Sequence, residues 1–170
     1  MDRFPALLQG KDTLRDNAER LKFAKMAIAR KRFAFSARLF DEAFESDPMI
    51  AKNLMAGHRY RAARVAALAS SGQGDDDPRP DDAAKAKLRE QALGWLKADL
   101  SVWTTNAKLG GPGDKEIVAK ILDRWKKDAA FAGVRDEKEL AKLPEADRKE
   151  WQALWADVLA LLKRVEKPIS

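Results

Sequence analysis

Phe33-Ala34-Phe35-Ser36-Ala37-Arg38-Leu39-Phe40-Asp41-Glu42-Ala43-Phe44-Glu45-Ser46-Asp47-Pro48 is the stretch on which the fold turns. Its aromatic and small residues, Phe33, Ser36, Ala37, Phe40, Ala43 and Phe44, return every three or four positions, the spacing of a helix face rather than the alternation of a strand. Pro48 closes the stretch, because the residue before a proline is pushed out of helical geometry. Upstream, Leu21, Ala24, Met26 and Ala27 carry the same period from Asp16 onward. Arg30-Lys31-Arg32-Phe33 then reads as a tight turn between two paired helices.

Working outward, residues 51–69 predict a third helix with Leu54, Tyr60, Ala63, Ala66 and Ala67 inward, stopped at Ser70-Ser71-Gly72. Residues 72–82 hold two glycines, two prolines and a run of aspartates with almost nothing to bury, and are expected to be an exposed, mobile acidic loop. A long helix is expected over 83–106, with Leu88, Ala92, Trp95, Leu96 and Trp103 on one side, until Gly110-Gly111-Pro112-Gly113 breaks it. Asp114 reads as the N-cap of a helix over 115–127 carrying Ile117, Val118, Ile121, Leu122 and Trp125. Asp136 and Glu139 have capping-box spacing for a short helix. The last helix, from Pro144 to about residue 165, has an almost unbroken stripe of Trp151, Leu154, Trp155, Val158, Leu161, Leu162 and Val165. Lys163, Arg164 and Lys167 complement its C-terminal dipole.

Composition agrees with an all-α chain. Hydrophobic residues make up 45% and charged residues 35% of 170, with helix-forming Ala, Leu, Lys and Glu prominent. That length suits one core, so residues 1–170 are expected to form a single helical domain: 16–71 a paired-helix part, 72–82 the acidic loop and 83–166 a tryptophan-rich helical extension. The absence of cysteine removes disulfides and thiol chemistry and fits a reducing cytoplasm. No long uncharged apolar run suggests a signal peptide or an anchor, so no membrane partner is expected.

Chemistry-bearing patterns are scarce. His58 is the only histidine, and it is expected to start a helix and bond locally or face solvent. The glycine-rich break at 110–113 lacks the lysine, hydroxyl residue and preceding strand of a phosphate loop, and the aspartates at 75–77 lack calcium-loop spacing. The five tryptophans fall on or near apolar stripes and read as core. No catalytic residue, cofactor or metal is therefore assigned, and the chain is read as a non-enzyme.

Phe33, Ser36, Phe40, Ala43, Phe44 and Pro48 resemble the second helix of a tetratricopeptide repeat, in which small residues let helices approach and aromatics fill the gaps. Tyr60, Ala63, Ala66 and Gly72 look like the opening of a second, partial repeat. Across residues 3–165 the chain is similar to the C-terminal region of planctomycete tetratricopeptide-containing serine/threonine kinases. Asp16-Asn17-Ala18-Glu19-Arg20-Leu21, Ala56-Gly57-His58-Arg59-Tyr60, Gly72-Gln73-Gly74, Gln91 to Leu100 and Ala141-Lys142-Leu143-Pro144-Glu145-Ala146 carry the likeness. The resemblance implies a kinase-associated protein-binding scaffold without kinase activity of its own, since the kinase motifs are absent. Arg61 stands where relatives commonly carry an asparagine; it cannot accept a hydrogen bond as that amide does, but it can pair a carboxylate in bidentate fashion. Because repeat units bury their faces on neighbours, this piece is expected to be a self-closed cap or a homo-oligomer.

The net charge of +6 is unevenly placed. Residues 1–74 hold 14 Lys and Arg against 8 Asp and Glu, while residues 75–170 hold 19 of each. The expected partner is a protein or peptide segment, preferentially acidic, contacted by Arg20, Lys22, Arg59, Arg61 and Arg64. An anion or nucleic-acid-binding module using the basic N-terminal part is the alternative, its nucleic-acid form weakened by the lack of a nucleic-acid-binding signature and of exposed aromatics for stacking.

Overall fold

Helical periodicity in the sequence is realised as helices throughout a computed structural model that describes residues 2–166, and no strand occurs among them. The chain divides into two compact units, residues 1–92 and 93–170. The division falls inside one continuous helix, so no linker loop separates them.

In the first unit, α1 (Phe4–Leu8) precedes α2 (Asn17–Ala29), which Asp16 caps by accepting the Glu19 N–H at 2.9 Å. After a three-residue turn, α3 (Phe33–Ser46) packs on α2 and also on α5 (His58–Ser70). These contacts are close because they are made by small residues: Ala24, Ala27, Ala37, Ala43, Ala62, Ala63, Ala66 and Ala67 are fully buried. The Ser36 hydroxyl donates to the Ala24 carbonyl at 2.9 Å, which satisfies a polar group at the α2/α3 seam.

Two expectations in this unit are corrected. The third helix is not continuous over 51–69: a single turn, α4 (Pro48–Lys52), is followed by a break and then by α5. Gly57, at φ +68°, supplies the left-handed residue that re-aims the chain. Nor is the acidic loop at 72–82 simply solvated. Asp76 is buried, and its two carboxylate oxygens accept the N–H groups of Ala34 and Phe35 at 2.9 and 3.1 Å. The Asp75 N–H donates to the Lys31 carbonyl at 2.8 Å, and Arg32 donates to the Asp75 carbonyl. The helix α3, which has no side-chain cap from its own Arg32, is thus capped by a distant aspartate.

The helix α6 (Asp82–Leu109) begins in the first unit, where Gln91 donates to Asp41 on α3 at 3.1 Å. In the second unit it buries Leu93, Leu96, Leu100 and Trp103. There α7 (Pro112–Lys127) packs against α10 (Glu145–Glu166), with the short α8 (Ala132–Arg135) and α9 (Glu137–Leu140) between them in sequence. Asp114 is not the N-cap that its position suggested; α7 starts at Pro112, and Asp114 reaches back from the first turn to accept the Gly111 N–H at 2.9 Å. Trp125, Trp151 and Trp155 are buried, and the Trp155 indole N–H donates to the Val134 carbonyl at 2.9 Å. Lys167 lies outside the described residues.

Candidate functional site

The expected anchor residues separate into two groups. Lys22 lies exposed on α2, three residues from the exposed Lys25, so the two share a helix face. On α5, His58, Arg61 and Arg64 follow the same three-residue step. The two helices' charges meet at His58. Its pKa lies below the ordinary value because the ring is partly buried and because Lys25 from α2 and Arg61 from α5 both place positive charge on it.

The position of His58 corrects the local-bond expectation. As the first residue of α5 it lies against Phe40 of α3, with ring centroids 6.3 Å apart. Its Nδ1 is buried without a hydrogen-bond partner among the described residues. Burial and the two neighbouring positive charges disfavour the charged form of this ring, while Lys25 and Arg61 themselves are exposed. Lys25, one of the basic residues of the first part, and His58, the only histidine, are not among the expected anchors, yet both belong to this face. Signals for them existed in the three-residue spacing from Lys22 and back from Arg61.

Arg59 and Arg64 are half-buried, and each already carries an interaction within the chain. Arg61 is exposed. Arg20 is placed elsewhere: its guanidinium bonds Asn17 at 2.8 Å and lies 3.8 Å from Glu42 of α3. Arg20 and Lys25 are five positions apart, about 140° around the helix, so they face different surroundings.

In the second unit Trp103, Trp125, Trp151 and Trp155 are buried, while Trp95 is half-buried. Trp151 and Trp155 stack at 6.4 Å, and Phe131 lies 5.8 Å from Trp155. Among the described residues no group of three His, Asp or Glu side chains comes together as a metal site, and no helix is long and apolar enough to cross a membrane. No protein-family model matches the chain, and neither does any curated protein or solved structure.

Proposed function

We propose that residues 16–71 form a tetratricopeptide-like module of a non-catalytic scaffold, and that its α2/α5 face binds an acidic protein segment. The observation that carries this reading is His58 at the start of α5, packed against Phe40 with its Nδ1 buried and without a hydrogen-bond partner among the described residues, where Lys25 of α2 and Arg61 of α5 both add positive charge. The packing of α3 on both α2 and α5 through fully buried alanines supports the repeat-like arrangement, as does the sequence resemblance to kinase-linked tetratricopeptide regions. Lys22 extends the face along α2, and Arg61 offers bidentate pairing to a carboxylate in place of an amide clamp.

The test compares a fluorescent Glu-rich peptide with single-stranded RNA of equal charge, at low and moderate salt, on the native chain and on a Lys25→Glu/Arg61→Glu variant. Arg59 and Arg64 are left intact because they already have partners in the fold. Peptide binding that weakens with salt and is lost in the variant is the expected result. Preference for RNA transfers the face to nucleic acid, and equal peptide binding by both proteins removes Lys25 and Arg61 from the site.

A further inference from the structure

On the side of α2 away from His58, a half-open cavity of about 330 Å³ lies among α1, the 10–14 segment, α2 and α3. Leu7, Leu14, Phe35 and Leu39 supply apolar wall; Arg20, Arg38 and Glu42 supply charge. The cavity is preformed. Arg3 holds its outer wall by bonding Asp12 through two nitrogens at 2.7 and 3.2 Å, the Thr13 carbonyl at 3.0 Å and Glu19 of α2 at 2.6 Å. A wall tied at four points needs little further ordering when a ligand arrives.

The charges inside are unequally matched. Asp12 is committed to Arg3, which leaves Arg20 and Arg38 facing the single carboxylate of Glu42. Glu42 bridges them loosely, with one oxygen 3.8 Å from Arg20 Nε and the other 3.6 Å from Arg38 Nε, both beyond charge-assisted hydrogen-bond length. Arg20 Nε is buried and has no hydrogen-bond partner among the described residues, an uncommon state for so strong a donor. Arg38 lies over the Phe35 ring at 4.9 Å, which orients its guanidinium on the cavity wall. Arg15 also pairs Glu19 at 3.1 Å, so Arg3, Arg15, Arg20 and Arg38 meet only Asp12, Glu19 and Glu42, and one positive charge is left over beside apolar surface and an unused donor.

We infer that this cavity is a binding site for a monocarboxylate attached to an apolar group of leucine or phenylalanine size, the chemistry of an apolar peptide C-terminus or of a free branched-chain acid. The carboxylate takes the Arg20 Nε–H and shares Arg38, while the apolar group lies along Leu7, Leu14 and Leu39. Glu42 then acts as an internal competitor that occupies the arginine pair weakly until the ligand displaces it. This site is separate from the Lys25/Arg61 face, so either can fail without the other.

The full chain, labelled with nitrogen-15, is titrated with N-acetyl-leucine, N-acetyl-leucinamide, 4-methylpentanoate and acetate while the Arg Nε–H and backbone signals are followed. N-acetyl-leucine is expected to shift Arg20 Nε–H and the amides of residues 12–14, and the amide without a carboxylate is expected to leave them in place. Equal binding of 4-methylpentanoate assigns the site to free acids, and its failure beside N-acetyl-leucine assigns it to peptide termini; both support the carboxylate site. Glu42→Gln is expected to tighten binding about threefold, since it removes the competitor, whereas a purely structural Glu42 gives no gain. Arg20→Gln, or Arg38→Gln should the first variant not fold, is expected to abolish the shifts. Acetate binding as well as N-acetyl-leucine, no shifts with either apolar acid, or unchanged affinity in Glu42→Gln overturns the proposal.

Discussion

Asp76 lies 42 positions beyond Ala34, yet its carboxylate accepts the Ala34 N–H at 2.9 Å and so caps the helix that Phe33 opens. A second oxygen takes the Phe35 N–H, and burial of Asp76 keeps water from substituting for either bond. Removing the carboxylate by Asp76→Ala is expected to cost about 1–2 kcal/mol, read from the urea midpoint and from faster amide exchange at Ala34 and Phe35. Asp75→Ala is expected to stay within about 0.5 kcal/mol, because Asp75 works through its backbone while its side chain is exposed.

The same clamp demands glycine at position 74. Gly74 has φ +100°, and a Cβ there would sit 2.7 Å from the Lys31 carbonyl oxygen and 2.7 Å from the Phe33 ring. Gly74→Ala is therefore expected to destabilise by more than about 1 kcal/mol. Gly94, exposed within α6 and with nothing within 4 Å of an added Cβ, is expected to respond oppositely, Gly94→Ala raising stability by about 0.8–1 kcal/mol. Thermal unfolding of both variants checks the contrast in sign.

Acid should release the latch formed by Arg3. The Glu19 carboxyl is held down at about 2, first by the Arg15 N–H and then by Arg3. A carboxylate with a depressed folded-state pKa stabilises above its ordinary value of 4.5, and that contribution is lost as pH falls toward about 2. Carboxyl NMR titration should place the Glu19 midpoint near the lower figure in the native chain and higher in Arg3→Gln. The 10–14 amides should lose protection over the same acid range.

Trp155 offers a test in the second unit. Its indole donates to Val134 at the end of α8, while the ring packs on Phe131. Trp155→Phe keeps much of the packing but leaves the carbonyl without its donor, at an expected cost of about 1–3 kcal/mol. Calorimetry gives the magnitude, and slow exchange of the Trp155 indole proton in the native chain confirms that the bond is closed.

The helices were legible where period and punctuation agreed. Phe40, Ala43 and Phe44 before Pro48 defined α3, and the stripe from Trp151 to Leu162 defined α10. Local pattern failed where a partner lay far along the chain. Nothing adjacent to the aspartates at 75–77 distinguishes Asp76 as a helix cap, because its donors, Ala34 and Phe35, lie 42 and 41 positions earlier. Gly57 was visible as a residue, but its left-handed conformation depends on how α4 and α5 pack on α3. Residue type identified the basic part, whereas Arg20 and Lys25 could be assigned to different surroundings only once Glu42 and His58 were in place.

The bond from the Asp75 N–H to the Lys31 carbonyl has an engineering consequence: residues 32–74 leave and re-enter the rest of the chain at one doorway, where donor and acceptor are 2.8 Å apart. Entry and exit that close together make a loop pinched at its neck, although the loop is not separable, since α3 packs on α2 and takes its cap from Asp76, both outside it. Extra residues inserted at the break between α4 and α5, where Met55 is exposed, would leave that neck closed.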